Sequence, residues 1–579
     1  MRKLTEWSRL LAIAAVVSTA GCKSLEVVNP NNPDAQRAFS DPGAVAGLVT
    51  GAMRNWVQLR TNYDGALLLS AMADTYSASW NNFNLRYYTS YGVECPNRCG
   101  WANTPSSPFR FQIESFWYGY YSLLSSVNDV LKAIRDNDVI LTDAPTTKAY
   151  EAASVMLQGV VFSNIALNYD QGFIVDEETD LSTPEKVTEL PLSTRAEMQA
   201  AAIEKFDAAI ALLTATPFNA SPNTWLGAPG PSYSSADLIK LIRTMQAELL
   251  AYYPRNAAED AQVNWAQVAT YASQGISSGT PKDFHYADDN VNMNNGLLEW
   301  SQAIFTMRTD TRLAHVITNG PDPSKIHRTP WVGQDPAPNA FDHRVGDGSW
   351  GPEDDFSGCG TNVEDAGAGT DFAYCANNFL NPARGTFHFS NLVHVRYSYA
   401  ASVGSGLPGE DGTGDTPIYI PAQNDLLWAE GLVRGGGSTA LAATKINNTR
   451  VTRGHLSALT GAEGSAVLLA AIRYENDIEL LGTGPQPFYN RRRETPEGWQ
   501  LAQACPGNIC LWPDTPRHMP IPAKELSVLR RELYTFGGPG QPDLSPSNFM
   551  AGEPVWNVRK IADALRKSEL EQARGKHKF

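Results

Sequence analysis

The most readily assigned chemistry in this 579-residue chain belongs to its seven cysteines: Cys22, Cys95, Cys99, Cys359, Cys375, Cys505 and Cys510. Cys22 stands apart. Arg2, Lys3 and Arg9 precede an apolar run, Leu10 to Val17, and Ser18-Thr19-Ala20-Gly21 leads into the thiol. A basic start, a short apolar core and a small-residue junction are the layout of a secretory signal, with cleavage expected before Cys22. The core is too short to be a membrane-spanning helix, which needs roughly 20 apolar residues. The other six cysteines fall in three locally close pairs, as expected of disulfides in an exported protein. The expected pairing is Cys95 with Cys99, Cys359 with Cys375, and Cys505 with Cys510. Such short loops lose little entropy on closure, so these bridges would pin loops rather than carry the fold. Zinc held by Cys95-Pro-Asn-Arg-Cys99 is the alternative, but no second Cys/His pair stands nearby.

The second set of chemistry-bearing residues is aromatic. Recognition of a sugar needs flat ring faces for the apolar side of a pyranose and amide, carboxylate or guanidinium groups for its hydroxyls. Two stretches offer both. Tyr76 to Tyr88, continuing to Trp101, supplies Trp80, Asn81, Asn82, Arg86 and Trp101, and a loop-rich stretch supplies Trp331 and Trp350 beside Phe356. Core packing is the competing reading of each ring. Glu353, Asp354 and Asp355 are adjacent acids in a loop, the pattern of a solvated run. No Gly-x-Ser-x-Gly elbow or His-Glu-x-x-His zinc site occurs. The one metal alternative is calcium at Asp411-Gly-Thr-Gly-Asp415, which lacks the EF-hand ligand pattern. No other cofactor is expected.

These residues need elements to hold them. The net charge of −15 and 18% charged residues disfavour a phosphate-backbone partner. After an Asn/Pro-rich spacer, helical patterns follow one another: Phe116 to Ile134, residues 148–168, Thr194 to Leu213, Ser234 to Leu249, and Trp265 to Ile276. A capping box starts one of them, at Thr194-Arg-Ala-Glu197, and another begins near Ser234-Ser-Ala-Asp237. Ala152, Ala153 and Gly159 permit close helix contact. From about 281 to 422 Gly, Pro, Asp and Asn dominate and helical periodicity disappears, with short strand-like pieces such as Leu392 to Tyr399. Helices resume at about 423–434, 438–451 and 464–482. The expected organisation is a signal at 1–21, an anchor and spacer at 22–43, and a body at 44–579. In that body a helical core (44–280 and 423–579) carries the loop-rich insert 281–422. Helix pairs that bury their faces on neighbours predict a mostly α, solenoid-like stack.

The Cys22 junction resembles the lipobox of bacterial lipoproteins, with Thr19 where Leu is usual, and implies an acylated thiol at a new N-terminus. The C-terminal third resembles the SusD/RagB family of outer-membrane nutrient-binding lipoproteins. Ala422 to Val433 is similar to the family's Leu-x-x-Ala-Glu-Ala helix, and Ala442 to Arg450 to its A-x-x-x-I-N-x-x-R helix. Ile472 to Leu480 resembles its I-x-x-E-R-x-x-E-L helix, Phe488 to Arg493 its F-D-L-x-R turn, and Pro520-Ile-Pro522 its closing motif. Asn476 and Asn490 depart from the usual Arg and Asp, and Gly482 to Pro487 replaces the usual E-G-x-R. Glu475, Glu479 and Arg491 to Arg493 read as buried ion pairs fastening a helix to this turn. The resemblance implies a mostly α scaffold of tetratricopeptide-like helix pairs with irregular ligand-binding segments and no catalysis. It further implies lipid anchoring at the outer membrane, a TonB-dependent (SusC-like) barrel as partner, and an oligosaccharide ligand. The same scaffold binding peptides or another organic nutrient is one alternative, and a secreted glycoside hydrolase, with two carboxylates across a cleft, is a remote one.

Overall fold

Asp41 opens the first helix, its carboxylate accepting from the Gly43 amide at 2.8 Å with Pro42 at the first helical position. The computed structural model describes residues 40–78, 85, 103–107, 110–227, 229–278, 283–289, 291–301, 307–319, 342–345, 371–374, 390, 392–394, 396–397, 414–496, 510–511 and 515–534. Its long helices are α1 (Pro42–Thr61), α2 (Phe111–Arg135), α3 (Ala144–Asn168), α4 (Arg195–Ala215), α5 (Ser235–Tyr252), α6 (Trp265–Ser273), α7 (Pro421–Arg434), α8 (Thr439–Arg450) and α9 (Ser465–Glu479). Each packs on the next in this order. That sequential stacking is the expected solenoid-like pattern: a helix hairpin cannot bury its apolar face alone, so each uses its neighbour.

Local chemistry explains the boundaries. The expected capping box forms and a second opens α5: Glu197 and Asp237 reach back to the Thr194 and Ser234 amides at 2.7 and 3.0 Å. Close approach is achieved with glycine. A Cβ at Gly159 of α3 would lie 2.6 Å from the Phe206 ring of α4. One at Gly431 of α7 would lie 2.6 Å from the Ala269 backbone nitrogen of α6. Helix α6 ends at Ser273 and α9 at Glu479, each three residues before the expected end.

The C-termini of α3 and α5 are closed by arginines. Arg492 donates to the Leu167 and Tyr252 carbonyls, both at 2.8 Å, and Arg255 donates to the Tyr169 carbonyl at 2.5 Å. Helix C-terminal carbonyls are unsatisfied and carry partial negative charge, so a guanidinium can stand there without a carboxylate. Burial pulls Arg492 down to about 9, still charged at neutral pH.

The insert differs from expectation in two ways. It contains helices, Gly296–Ser301 and Thr311–Asn319, which are too short and too flanked by Gly and Asn to show a period. Its two ends are also tied together. Strand Phe284–Asp288 pairs antiparallel with Gly414–Tyr419, running from Phe284 opposite Tyr419 to Asp288 opposite Gly414. The insert thus leaves and rejoins the helical stack at one place.

Candidate functional site

Four short strands join the start of the first stretch singled out for ligand binding to segments of the insert on either side of the second. Strand β1 (Tyr76–Ala78), which leads into residues 79–102, pairs antiparallel with Met307–Thr309 of the insert: Tyr76 opposes Thr309, Ser77 Arg308 and Ala78 Met307. Strand Leu392–His394 lies beside Met307–Thr309 and pairs with Phe372–Tyr374. The Ser390 amide donates to the Thr309 carbonyl at 3.2 Å, and Arg308 returns a bond to the Ser390 carbonyl at 3.3 Å. The Tyr76 hydroxyl meets His394 Nδ1 at 3.1 Å across this platform. Trp80, Asn81, Asn82, Arg86 and Trp101 follow β1 in sequence, and Trp331 and Trp350 fall between Thr311–Asn319 and Phe372–Tyr374. All seven lie outside the described residues, as do Glu353, Asp354, Asp355, Asp411, Cys22, Cys95, Cys99, Cys359, Cys375 and Cys505. Cys510 is described and is disulfide-bonded, its partner lying outside the described residues.

Beneath the platform lies a buried charged layer. The Asp310 carboxylate accepts from the Ser77 hydroxyl at 2.5 Å and from the Arg312 amide at 2.7 Å. Arg312 forks onto Asp477 at 2.7 and 3.2 Å, and Arg491 pairs with Asp74 at 2.9 Å. Burial, reinforced by the charge of Asp74, pushes Asp310 up to about 7. Burial together with Arg396 and Arg453 pushes His394 down to about 3. A carboxyl near neutrality on a serine hydroxyl has the makings of a general base. Here Asp310 is 1% exposed and Ser77 2%, so the pair fastens strand to helix with no face for a substrate.

A second fully buried guanidinium, Arg344, ties the insert to α9 as Arg312 does. It donates to Asp342 at 2.7 Å, Glu475 at 2.8 Å and Glu479 at 3.1 Å. Glu479 also pairs with Arg396 at 2.7 Å and Arg453 at 3.0 Å. The expected burial of Glu475, Glu479 and Arg491 to Arg493 is therefore found, but these residues do not pair with one another. Arg493 pairs instead with Glu430 at 2.5 Å and Asp260 at 3.4 Å. The run Phe488 to Arg493, expected as a turn, lies within a helix, Gln486–Glu494, on which the three arginines point to three different partners. The reason is geometric: consecutive helical side chains diverge by about 100°.

Sequence reasoning missed one feature. A cavity of about 300 Å³ opens between α2, residues 173–190 and the short helix Ala523–Val528. Trp117, Tyr121, Leu124 and Phe173 line its interior. Trp117 and Tyr121 have ring centroids 4.8 Å apart, and Phe173 stands edge-on to both at 6.1 Å. The signal was present in Phe116-Trp-Tyr-Gly-Tyr-Tyr121, which places aromatic rings on more than one face of α2. Helical spacing marks Phe116, Tyr120, Leu123 and Leu124 as one core face, and the rings of Trp117 and Tyr121 fall beside it.

Among the described residues no group of three or more His, Cys, Asp or Glu side chains is arranged to hold a metal, and no helix is long and apolar enough to cross a membrane. No protein-family model matches the chain, and no curated protein matches it. Solved structures do. A SusD-like carbohydrate-binding protein from Bacteroides fragilis superposes with a TM-score of 0.51 at 14% identity, covering 85% of this chain and 99% of its own. A SusD superfamily protein from Parabacteroides distasonis gives 0.54 at 11% identity over 86% and 99%. A second SusD-like protein from Bacteroides fragilis gives 0.54 at 15% identity over 86% and 98%. The mostly helical architecture of this chain is thus the SusD-like fold.

Proposed function

We propose that this chain belongs to the SusD/RagB family and is a glycan-binding lipoprotein of the outer membrane that passes its ligand to a TonB-dependent barrel. The observation that carries the reading is the pairing of β1, which precedes one candidate stretch, with strands of the insert that holds the other, on a scaffold shared with proteins described as SusD-like and carbohydrate-binding. A platform of paired strands held down by buried ion pairs gives flanking loops a fixed base, and convergent loops on a rigid scaffold are a common way to build a binding surface. Trp80, Trp101, Trp331 and Trp350 supply stacking faces in this proposal, and Asn81, Asn82 and Arg86 supply hydroxyl partners. The signal at 1–21 and acylation of Cys22 place the body, residues 44–579, at the membrane by lipid rather than by a spanning helix. Cys95–Cys99, Cys359–Cys375 and Cys505–Cys510 pin the loops. The protein captures ligand and performs no chemistry on it.

The test is calorimetric titration of the mature protein with a panel of oligosaccharides and peptides, with analysis of the mixture afterwards. The proposal expects at least one oligosaccharide to bind and to be recovered intact, with loss of binding in Trp80→Ala or Trp331→Ala. Binding by peptides alone would move the ligand class, and new reducing ends would replace binding with hydrolysis. Co-purification of an outer-membrane barrel with the native lipoprotein, lost in Cys22→Ala, tests the partner and the anchor.

A further inference from the structure

We propose that His343 and His455 form a surface site for one divalent transition-metal ion that favours imidazole, copper or nickel, with water in its remaining positions. The inference does not rest on the glycan reading. The two imidazoles come from segments far apart in sequence, His343 from the insert and His455 from the loop between α8 and α9. Both residues are exposed, and their ring centroids lie 4.4 Å apart with the planes inclined by 41°. Among the described residues no hydrogen bond engages a ring nitrogen of either. Neutral imidazole is the commonest side-chain ligand for metals, and two in contact with free nitrogens can chelate one ion.

The backbone holds the pair in place. The His343 amide donates to the Gly454 carbonyl at 3.1 Å, one residue from His455. Gly454 lets the loop close onto the insert, since a Cβ there would lie 3.0 Å from the Arg344 guanidinium. His455 stands at φ +51°, a left-handed conformation that costs a residue with a side chain. Bonds on either side fix it, from the Gly454 amide to the Thr449 carbonyl at 3.1 Å and from the Leu456 amide to the Arg450 carbonyl at 3.0 Å.

Spacing selects the ion. Metal–imidazole bonds of ~2.0–2.1 Å put each ring centre about 3.2 Å from the ion, so two coordinated rings stand about 4.5 Å apart at a right angle and about 5.2 Å apart at the tetrahedral angle. The observed 4.4 Å matches the right angle, which suits copper(II) and nickel(II) better than zinc. Magnesium and calcium need oxygen ligands, and Asp342, the carboxylate next in sequence, is turned inward to Arg344 and Tyr474. The arginines of the His455 loop are also engaged: Arg453 pairs with Asp371 and Glu479, and Arg450 donates to the Ser457 carbonyl at 2.8 Å. Because His343 directly precedes Arg344, a bound ion fastens at the surface the same junction that Arg344 fastens beneath it.

The experiment is calorimetric titration of the purified mature protein, stripped of metal and carrying no histidine tag, with Ni²⁺, Cu²⁺ and Mg²⁺ chlorides at pH 7.5 in a non-coordinating buffer, followed by melting curves with and without each ion. One Ni²⁺ or Cu²⁺ should bind per chain, Mg²⁺ should not, and Ni²⁺ should raise the melting temperature by mass action on the folded state. His343→Ala and His455→Asn, the latter chosen because Asn tolerates a left-handed backbone, should each weaken Ni²⁺ binding at least tenfold and abolish the melting shift. Their metal-free melting curves should match the parent's, and His577→Ala should bind Ni²⁺ as the parent does. No binding of either transition ion, equal binding of Mg²⁺, Ni²⁺ affinity retained in either single variant, or affinity that depends on His577 instead would overturn the proposal.

Discussion

Replacing Arg344 with Met should destabilise the protein by more than almost any other single change, and in a pH-dependent manner. The guanidinium is 0% exposed and serves Asp342, Glu475 and Glu479 together. The three carboxylates are not equally stranded by its loss. Glu479 keeps Arg396 and Arg453, and Asp342 keeps the Tyr474 hydroxyl at 2.6 Å. Glu475 is left with the Thr449 hydroxyl at 2.8 Å, buried and without a cation. Breaking a buried pair by removing one partner costs about 3–5 kcal/mol, and the residual partners argue for the lower half of that range. Burial already raises Glu475, with Arg344 opposing, so in Arg344→Met its folded pKa climbs further above the unfolded value. A carboxyl raised on folding contributes stability that is present below its unfolded pKa and lost as pH rises through the folded pKa. The deficit of the variant should therefore be largest at pH 7.5 and shrink toward pH 5. Urea unfolding of parent and variant at both values measures it, and adding Glu475→Gln should recover part of the loss. A deficit below about 1 kcal/mol, or one that is the same at both pH values, would refute the claim that Arg344 is a clamp between insert and α9.

Other expectations follow from the same structure. His394, neutral in the fold and pushed down to about 3, contributes stability that is present above pH 6.5 and lost on acidification. Between pH 7 and pH 4 that loss is about 3 kcal/mol, so the stability difference between parent and His394→Gln should narrow on acidification over that interval. Asp310 runs the other way: raised to about 7, it contributes stability below its unfolded value that is lost as pH approaches 7, so Asp310→Asn should gain on the parent from pH 5 to pH 8. Gly431→Ala gains helix propensity of about 1 kcal/mol but drives a Cβ to 2.6 Å from the Ala269 nitrogen. Because backbone cannot rotate away, overpacking of about 1–3 kcal/mol should win, read as a lower melting temperature. Thr194→Ala removes an exposed capping box and should cost about 1 kcal/mol in urea unfolding, with no change in ligand binding.

What was legible in the sequence was what is local. Thr194, Glu197, Ser234 and Asp237 declare two helix starts because a capping box closes within four residues. The helices of the C-terminal third carry both period and motif, and Glu475 and Glu479 were identifiable as residues that burial would force into pairs. Their partners were not identifiable. Arg344 sits 131 residues before Glu475, in a segment with no periodicity, and nothing in its neighbours marks it as buried. The antiparallel join of Phe284–Asp288 with Gly414–Tyr419 was hidden for the same reason, since strand pairing across a long insert leaves no local trace. The aromatic cavity escaped because a helix with rings on more than one face looks simply well buried. Of the candidate site, the sequence offered the stretches around Trp80 and Trp331, and the structure adds that β1, which precedes the first, pairs with Met307–Thr309 of the insert.

The central claim is that residues 79–102 and the insert form one ligand surface above the β platform. Hydrogen–deuterium exchange of the mature protein, with and without an oligosaccharide that it binds, tests this most directly. The account predicts that protection appears together in peptides covering 79–102 and in those covering Trp331 and Trp350. Protection confined to the helical stack, or to only one of the two segments, would contradict it.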